Sequence, residues 1–182
     1  FFGAAAGGAA YYAALKAQGY SGVEMVPQDR WEMARNAGLE IVNMAAPGME
    51  SGVNNPANHS VLIPGIEQAI LEAADAHIQQ VIVFSGNRYG PSDEDGFNTC
   101  VEVYGPLAET ARDAGVTLVL EMLNSVDHPG YQADNSRFGF ELARRIDSPS
   151  MKVLYDIYHM HRMGEDVIRD ITENTDLVVH LH

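Results

Sequence analysis

Six short runs of apolar and β-branched residues alternate with longer stretches that have helical spacing. The runs are predicted strands, at residues 22–26, 39–45, 80–84, 117–123, 152–157 and 177–182. Strands that are apolar almost throughout are typical of a parallel sheet that is buried on both faces. A chain of 182 residues with 46% hydrophobic content can bury one sizeable core, so we predict a single domain over residues 1–182.

Helices are predicted between the strands, at residues 66–77, 103–114 and 138–146, where apolar residues recur at helical spacing. Two long segments, 47–64 and 85–97, are predicted loops. Each follows a predicted strand, which places it at the carboxyl end of a parallel sheet. Functional loops gather at that end.

Repeated strand–helix units leave two architectures, an open doubly wound sheet or a closed barrel. No G-x-G-x-x-G follows the first strand and no G-x-x-x-x-G-K-[ST] occurs in the sequence. Both motifs are typical of nucleotide-binding open sheets, so their absence argues against that fold. Polar residues at the ends of many strands favour the α/β TIM (β/α)8 barrel.

A whole barrel typically needs about 250 residues. We therefore expect an incomplete barrel, with the first strand absent or reduced to Phe1-Phe2 and the eighth strand missing. The Ala/Gly-rich opening to Ala10 is interpreted as a stub left by missing residues rather than as the end of a cleaved targeting segment.

The charge balance is acidic, with 25 Asp and Glu against 11 Lys and Arg and a formal net charge of -14. Such a surface repels phosphate backbones and anionic membranes, so we predict neither a nucleic-acid partner nor a membrane partner. No apolar run reaches the roughly 18 residues of a membrane span. A single cysteine, Cys100, fits a reducing compartment, and we predict a cytoplasmic location.

Three predicted strands carry an acid or an imidazole within an otherwise apolar run, namely Glu121, Asp156 and His182. Such groups are costly inside a strand unless they are paired or bound to a metal. They lie about one strand–helix unit apart, so a closed barrel would bring them together at its rim. Two carboxylates and an imidazole suit Mg²⁺, Mn²⁺, Co²⁺ or Zn²⁺. From spacing alone, helix caps and salt bridges account for these residues equally well.

Four segments carry a family resemblance: ALKAQGYSGVEMV (14–26), LEMLNSVDHPGYQADN (120–135), KVLYDIYHMHRM (152–163) and VVHLH (178–182). They resemble the xylose-isomerase-like TIM-barrel superfamily, and within it the hydroxypyruvate isomerases and ketose 3-epimerases. The resemblance implies that Glu121, Asp156 and His182 are metal ligands. It also implies that Glu121 transfers a proton and that His159 contacts a substrate oxygen.

Three further residues match the resemblance at supporting positions. Asp127, in the loop after Glu121, is predicted to touch substrate, and an exposed loop acid without such a role is an equally good interpretation. His180 and Glu24 are predicted to lie behind the metal ligands and to support them, and a structural hydrogen bond inside the barrel is an equally good interpretation of Glu24. The families have a further Glu on the eighth strand, and we expect that fourth ligand beyond residue 182.

The implied activity is metal-dependent isomerisation of a small hydroxy-carbonyl compound, of hydroxypyruvate or ketose type, through a cis-enediolate with carboxylate proton transfer. Mg²⁺ or Mn²⁺ is the expected cofactor, with Co²⁺ or Zn²⁺ as alternatives. Ketose 3-epimerase and inosose isomerase or dehydratase activities remain open, as does a non-catalytic sugar-binding barrel. The net charge of -14 and the lack of a basic groove argue against an endonuclease-IV-like nuclease, which shares the barrel. The expected partners are a hydroxy-carbonyl or sugar substrate and further copies of the chain in a homo-oligomer.

Overall fold

The strands of the computed structural model, which describes residues 7–90 and 92–182, all pair in parallel. They are β1 (Gly22–Val23), β2 (Glu40–Ile41), β3 (Asn43–Ala45), β4 (Gln80–Val83), β5 (Thr117–Glu121), β6 (Met151–Tyr155) and β7 (Val178–Leu181). All six predicted strands are present, each shorter than the apolar run that indicated it.

The strands follow one another around the sheet in chain order. β1 pairs with β2, while β3, β4, β5, β6 and β7 form a continuous five-stranded sheet. The predicted strand at 39–45 is divided at Val42, so that its first part pairs with β1 and its second part pairs with β4. This is the TIM-barrel superfamily fold that the sequence predicts, and the barrel is not closed. The expected remnant of a first strand, Phe1-Phe2, lies outside the described residues.

Seven α-helices are found among the described residues. They are α1 (Ala9–Ala17), α2 (Trp31–Asn36), α3 (His59–Asp75), α4 (Asp93–Asp113), α5 (Ser136–Ile146), α6 (Ile157–Arg162) and α7 (Val167–Glu173). The three predicted helices correspond to α3, α4 and α5. No helix in the described ranges combines the length and the apolar character that a membrane crossing needs.

Two loop predictions extend too far, because both following helices begin earlier than expected. The loop prediction at 47–64 is wrong from His59 onward, where α3 begins and continues through Pro64. The prediction at 85–97 is wrong from Asp93 onward. There the Ser92 hydroxyl accepts a hydrogen bond from the Asp95 N–H at 3.1 Å, and three acidic residues occupy the first turn. Both features stabilise a helix start.

The core lies between the sheet and the helices packed on its outer face. Strand residues of β4 and β5 such as Ile82 and Leu118 are fully buried, as are Ile66 and Ile70 of α3 and Leu142 of α5. Burial on both faces of the central strands explains their continuous apolar sequences. A polar side chain at the end of such a strand is therefore held at the rim by a rigid frame.

Tyr131 connects the loops that follow β4 and β5. Its ring is 1% exposed, and its hydroxyl accepts a hydrogen bond from the Ser85 N–H at 3.1 Å while donating to the Glu121 carbonyl oxygen at 2.9 Å. The Ser85 hydroxyl in turn accepts from the Ala133 N–H at 3.0 Å. These bonds fix the backbone at the end of β5, where Glu121 lies.

The loop after β3 is joined to the same cluster. The Asn54 side-chain amide donates to the Gln132 side-chain oxygen at 2.7 Å. Gly52, with φ of +56°, touches Gly86 so closely that a Cβ on Gly52 would lie 2.2 Å from the Gly86 Cα. Only glycine permits this approach of two backbones. Three consecutive loops at the carboxyl end of the sheet are thus linked to one another.

Removing the Tyr131 hydroxyl by Tyr131→Phe is expected to lower the free energy of unfolding by about 1–3 kcal/mol, because the buried Ser85 N–H loses its acceptor. Urea denaturation followed by circular dichroism measures this change. Tyr20→Phe is the matched control, since that ring is 54% exposed and its replacement is expected to change stability by no more than about 0.5 kcal/mol. Equal stability of the two variants would contradict the assigned role of Tyr131.

Candidate active site

Five polar side chains meet at the carboxyl ends of four strands. Glu24 directly follows β1, Glu121 ends β5, Asp156 directly follows β6, His180 lies in β7 and His182 directly follows it. Carboxyl ends of parallel strands share one edge of a sheet, which is the edge where TIM barrels carry their active sites. The structure therefore brings the three predicted metal ligands and the two predicted supporting residues into one cluster.

The side chains of the three predicted ligands, Glu121, Asp156 and His182, lie close to one another. The His182 Nδ1 lies 3.3 Å from a Glu121 carboxylate oxygen and 4.0 Å from an Asp156 carboxylate oxygen. One potential ligand atom from each of the three residues lies within 4.8 Å of the others. Glu121 is 8% exposed and Asp156 is 9% exposed, so both carboxylates are largely removed from water.

The start of α6 sets the orientation of Asp156. Its Oδ1 accepts a hydrogen bond from the His159 N–H at 2.8 Å and so caps the N-terminus of the helix. Its other oxygen faces the cluster. The helix cap that a cautious interpretation of the sequence allowed for Asp156 is thus present, and one carboxylate serves both the cap and the cluster.

Glu24 contacts both histidines, one with each carboxylate oxygen. Its Oε1 lies 2.7 Å from the His180 Nε2, and its Oε2 lies 2.8 Å from the His182 Nε2. Burial raises the pKa of Glu24, but the hydrogen bonds and charges of the two histidines outweigh it and lower that pKa to about 2.

The pKa of His182 is shifted upward, whereas that of Glu24 is shifted downward. Burial lowers its pKa, but hydrogen bonds and charge attraction from Glu121 and Glu24 outweigh burial and raise the pKa to about 10. In the metal-free protein, His182 is therefore an imidazolium held between two carboxylates. Metal binding requires a neutral imidazole, so a bound divalent cation replaces a proton here.

The charge and chemistry of the cluster fit a divalent metal ion. Within residues 7–90 and 92–182, the ion pairs of Glu24, Glu121 and Asp156 are all with histidine, and no Lys or Arg neutralises these acids. Buried carboxylates need a compensating positive charge. Two carboxylates with one imidazole form a donor set that suits Mg²⁺, Mn²⁺, Co²⁺ or Zn²⁺.

His159 lies beside the cluster with a defined proton position. Its Nδ1 accepts a hydrogen bond from the Asn124 N–H at 3.1 Å, and the Asn124 side-chain nitrogen lies 2.6 Å from the same atom. Burial lowers the pKa of His159, against the raising effect of Asp156 and Glu121. The neutral ring therefore carries its proton on Nε2, which lies 3.9 Å from an Asp156 oxygen.

Asp127 contacts Asn124, the residue that also holds His159. Its Oδ2 accepts hydrogen bonds from the Tyr158 hydroxyl at 2.7 Å and from the Asn124 side chain at 3.0 Å, and its Oδ1 pairs with Arg162 at 3.3 Å. The hydrogen bonds from Tyr158 and Asn124 lower the pKa of Asp127. Asp127 is linked to the cluster through Asn124, which in turn donates a hydrogen bond to His159. Substrate contact by Asp127 stays a prediction.

No role is predicted for Asn124 from the sequence, although Asn124 lies in the segment LEMLNSVDHPGYQADN (120–135). Its side-chain oxygen also accepts hydrogen bonds from the N–H groups of Val126 and Asp127, so this one residue holds the loop after β5 against His159. Its complete burial was the missing information. The signal that the sequence did offer is an Asn directly after the apolar run 117–123, where a polar side chain needs hydrogen-bond partners.

Residues 12–182 match the family described as xylose isomerase-like TIM barrel.

The chain belongs to this family.

A curated relative, hydroxypyruvate isomerase from Escherichia coli (strain K12), is 27% identical over 128 residues, which are 65% of this chain and 50% of that enzyme. The chain thus matches about half the length of this relative.

Two solved structures have the same fold. AP endonuclease, family 2, from Brucella melitensis has a TM-score of 0.84 at 21% identity, over 95% of this chain and 72% of that chain. D-psicose 3-epimerase with D-tagatose, from Clostridium cellulolyticum H10, has a TM-score of 0.78 at 15% identity, over 96% of this chain and 66% of that chain. At these identities, the likeness concerns the fold alone.

We expect the His182 imidazolium to stay protonated from pH 6 to pH 8 in the metal-free protein and to lose its proton near pH 10. Nuclear magnetic resonance of labelled histidine measures this titration. Because the folded pKa exceeds the ordinary 6.5, the stability that His182 contributes is fully present below about pH 6.5 and is lost as pH rises through 10. Glu121→Gln should lower the pKa. Titration of native His182 near 6.5 would contradict the geometry.

Proposed function

We propose that this protein is a metal-dependent isomerase of a small hydroxy-carbonyl compound, and that Glu121, Asp156 and His182 hold its divalent cation. One observation carries the proposal: two buried carboxylates and an imidazole converge at the barrel mouth, and histidine is their only cationic partner among the described residues. Mg²⁺ or Mn²⁺ is the proposed ion.

The relationship to hydroxypyruvate isomerase supports this reaction class. The epimerase that shares the fold is named for chemistry on a ketose, and epimerisation beside a carbonyl uses the same first step of proton removal. The proposed substrate therefore carries a hydroxyl group beside a carbonyl, as hydroxypyruvate and ketoses do. Nucleic acid is not a proposed partner, because the net charge of -14 repels phosphate backbones.

A divalent ion supplies Lewis acidity, which polarises a carbonyl and acidifies the neighbouring C–H. Glu121 is the proposed base that accepts the proton, because its buried carboxylate lies beside the His182 Nδ1 at 3.3 Å and its backbone is fixed by Tyr131. A general base must be within hydrogen-bond reach of the proton that it removes. The protonated Glu121 can return this proton at the adjacent carbon, while the hydroxyl proton of the substrate passes to the former carbonyl oxygen, and the two transfers together complete an isomerisation.

His159 is the proposed donor to the substrate oxygen that becomes negative. Its Nδ1 is an acceptor for Asn124, so its Nε2 carries the proton and can donate it in a hydrogen bond toward the cluster. A donor that is already oriented stabilises developing charge without reorganisation. Asp127 is proposed to contact substrate from the loop edge, and Asn124 to hold both residues in place.

The deciding experiment is a metal-dependent assay of the purified protein with hydroxypyruvate, with ketoses of fructose or psicose type, and with inosose. We expect turnover of at least one of them, its loss on treatment with EDTA and its recovery on addition of Mn²⁺ or Mg²⁺. Metal binding without turnover of any of these compounds would instead favour a sugar-binding protein. Turnover that survives complete metal removal would contradict the proposal.

Glu121→Gln separates proton transfer from metal binding, since the amide retains an oxygen ligand but has no basicity. We expect kcat to fall by about 10²–10⁴-fold, the usual contribution of a general base. Asp156→Ala is the companion variant and should lower Mn²⁺ affinity, as calorimetry would measure. Full activity of Glu121→Gln would exclude Glu121 as the base, and unchanged Mn²⁺ affinity of Asp156→Ala would exclude the site.

A further inference from the structure

Glu24 lies on the opposite side of the cluster from Glu121 and is held there by its backbone. The residue after it, Met25, has a positive φ of 47°, which is unusual for a residue other than glycine. The Met25 N–H donates a hydrogen bond of 3.1 Å to the side-chain oxygen of Asn43, and Asn43 is fully buried at the start of β3. This bond stabilises the turn that directs Glu24 toward β7.

Both histidines of β7 are oriented by this one carboxylate. The His180 and His182 rings lie 5.2 Å apart at 81° to each other, and each presents Nε2 to a different oxygen of Glu24. An ionised carboxylate can only accept hydrogen bonds. Each Nε2 must therefore carry a proton.

The proton on Nε2 decides which atom of His182 can bind a metal. A neutral imidazole has one N–H and one lone pair. With Nε2 protonated toward Glu24, the lone pair belongs to Nδ1, which faces Glu121 at 3.3 Å and Asp156 at 4.0 Å. Carboxylates that accept the second N–H of a ligating histidine fix its tautomer and raise its affinity for the metal.

We propose that Glu24 is a positioning residue of the metal centre, which fixes the tautomer and the ring orientation of His182 so that Nδ1 is the ligand atom. This inference rests on the proposed metal site and adds a role for a residue that touches neither the ion nor the substrate. His180 helps to hold Glu24 in place, because its Nε2 donates a hydrogen bond to the other carboxylate oxygen. The two histidines of β7 thus have different roles, although they lie on the same face of the strand.

A different interpretation gives Glu24, His180 and His182 an ion of their own, since their potential ligand atoms also lie within 4.8 Å of one another. That interpretation requires His182 to give up the Nε2 proton and to ligate through both ring nitrogens. The hydrogen bonds of 2.7 and 2.8 Å satisfy all three side chains without an ion. They favour positioning, and a second ion becomes an outcome that the test can detect.

The test compares Mn²⁺ binding by the native protein, by Glu24→Gln and by Glu40→Gln, using calorimetry. Glutamine has the shape of glutamate but offers only one acceptor oxygen, so it can orient only one of the two histidines. We expect one ion per chain in all three proteins, with affinity about 10–100-fold weaker in Glu24→Gln. Glu40 is an exposed glutamate in β2, so Glu40→Gln controls for the loss of one negative charge and should bind as the native protein does.

A spectroscopic measurement separates positioning from a general loss of structure. Nitrogen chemical shifts of His182 in the Zn²⁺-loaded native protein should show metal at Nδ1 and a proton at Nε2, and thermal unfolding should show that Glu24→Gln remains folded. Ligation through Nε2, or equal Mn²⁺ affinity of Glu24→Gln and the native protein, would overturn the inference. Two ions per native chain, one of them lost in Glu24→Gln, would also overturn it. If the native protein bound no Mn²⁺, the proposed function would fail along with it.

Discussion

The candidate site depends on the contacts that the His182 imidazole makes with two carboxylates. It contacts Glu24 through one nitrogen and Glu121 through the other, and so links the ends of β1, β5 and β7 across the mouth of the barrel. Neither carboxylate has a Lys or Arg partner among the described residues, so histidine, or a metal ion that takes the place of its proton, must compensate their charge. The apolar core beneath Glu121 makes this compensation necessary, because β5, which carries Glu121, is buried on both faces.

The same frame explains why much of the site could be predicted from the sequence. Glu121, Asp156 and His182 stand out because each interrupts an apolar run, and the regular strand–helix repeat implies that their strands end at one edge. What the sequence could not supply were contacts between distant loops. The pairing of Glu24 with two histidines of β7 joins residues more than 150 positions apart. The bond from Asn124 to His159 depends on how the loop after β5 meets α6.

Two element boundaries also differ from the predictions made from the sequence. The helix predicted at 66–77 begins earlier, at His59, and continues through Pro64. It follows directly on the turn at Pro56–Asn58, which the Asn55 side chain caps. The strand predicted at 39–45 is interrupted at Val42, because its two parts pair with different neighbours as the sheet curves. Neither error moves a site residue, because strand ends rather than helix starts place the acids and histidines.

One divalent ion is proposed to bind between Glu121, Asp156 and the Nδ1 atom of His182. A crystal structure of the protein soaked with Mn²⁺ tests this most directly, because anomalous scattering locates the ion independently of the surrounding density. We expect a single strong anomalous peak within bonding distance of one oxygen from each carboxylate and of Nδ1, with Glu24 still hydrogen-bonded to Nε2. A peak between Glu24, His180 and His182, or no peak at the barrel mouth, would contradict it.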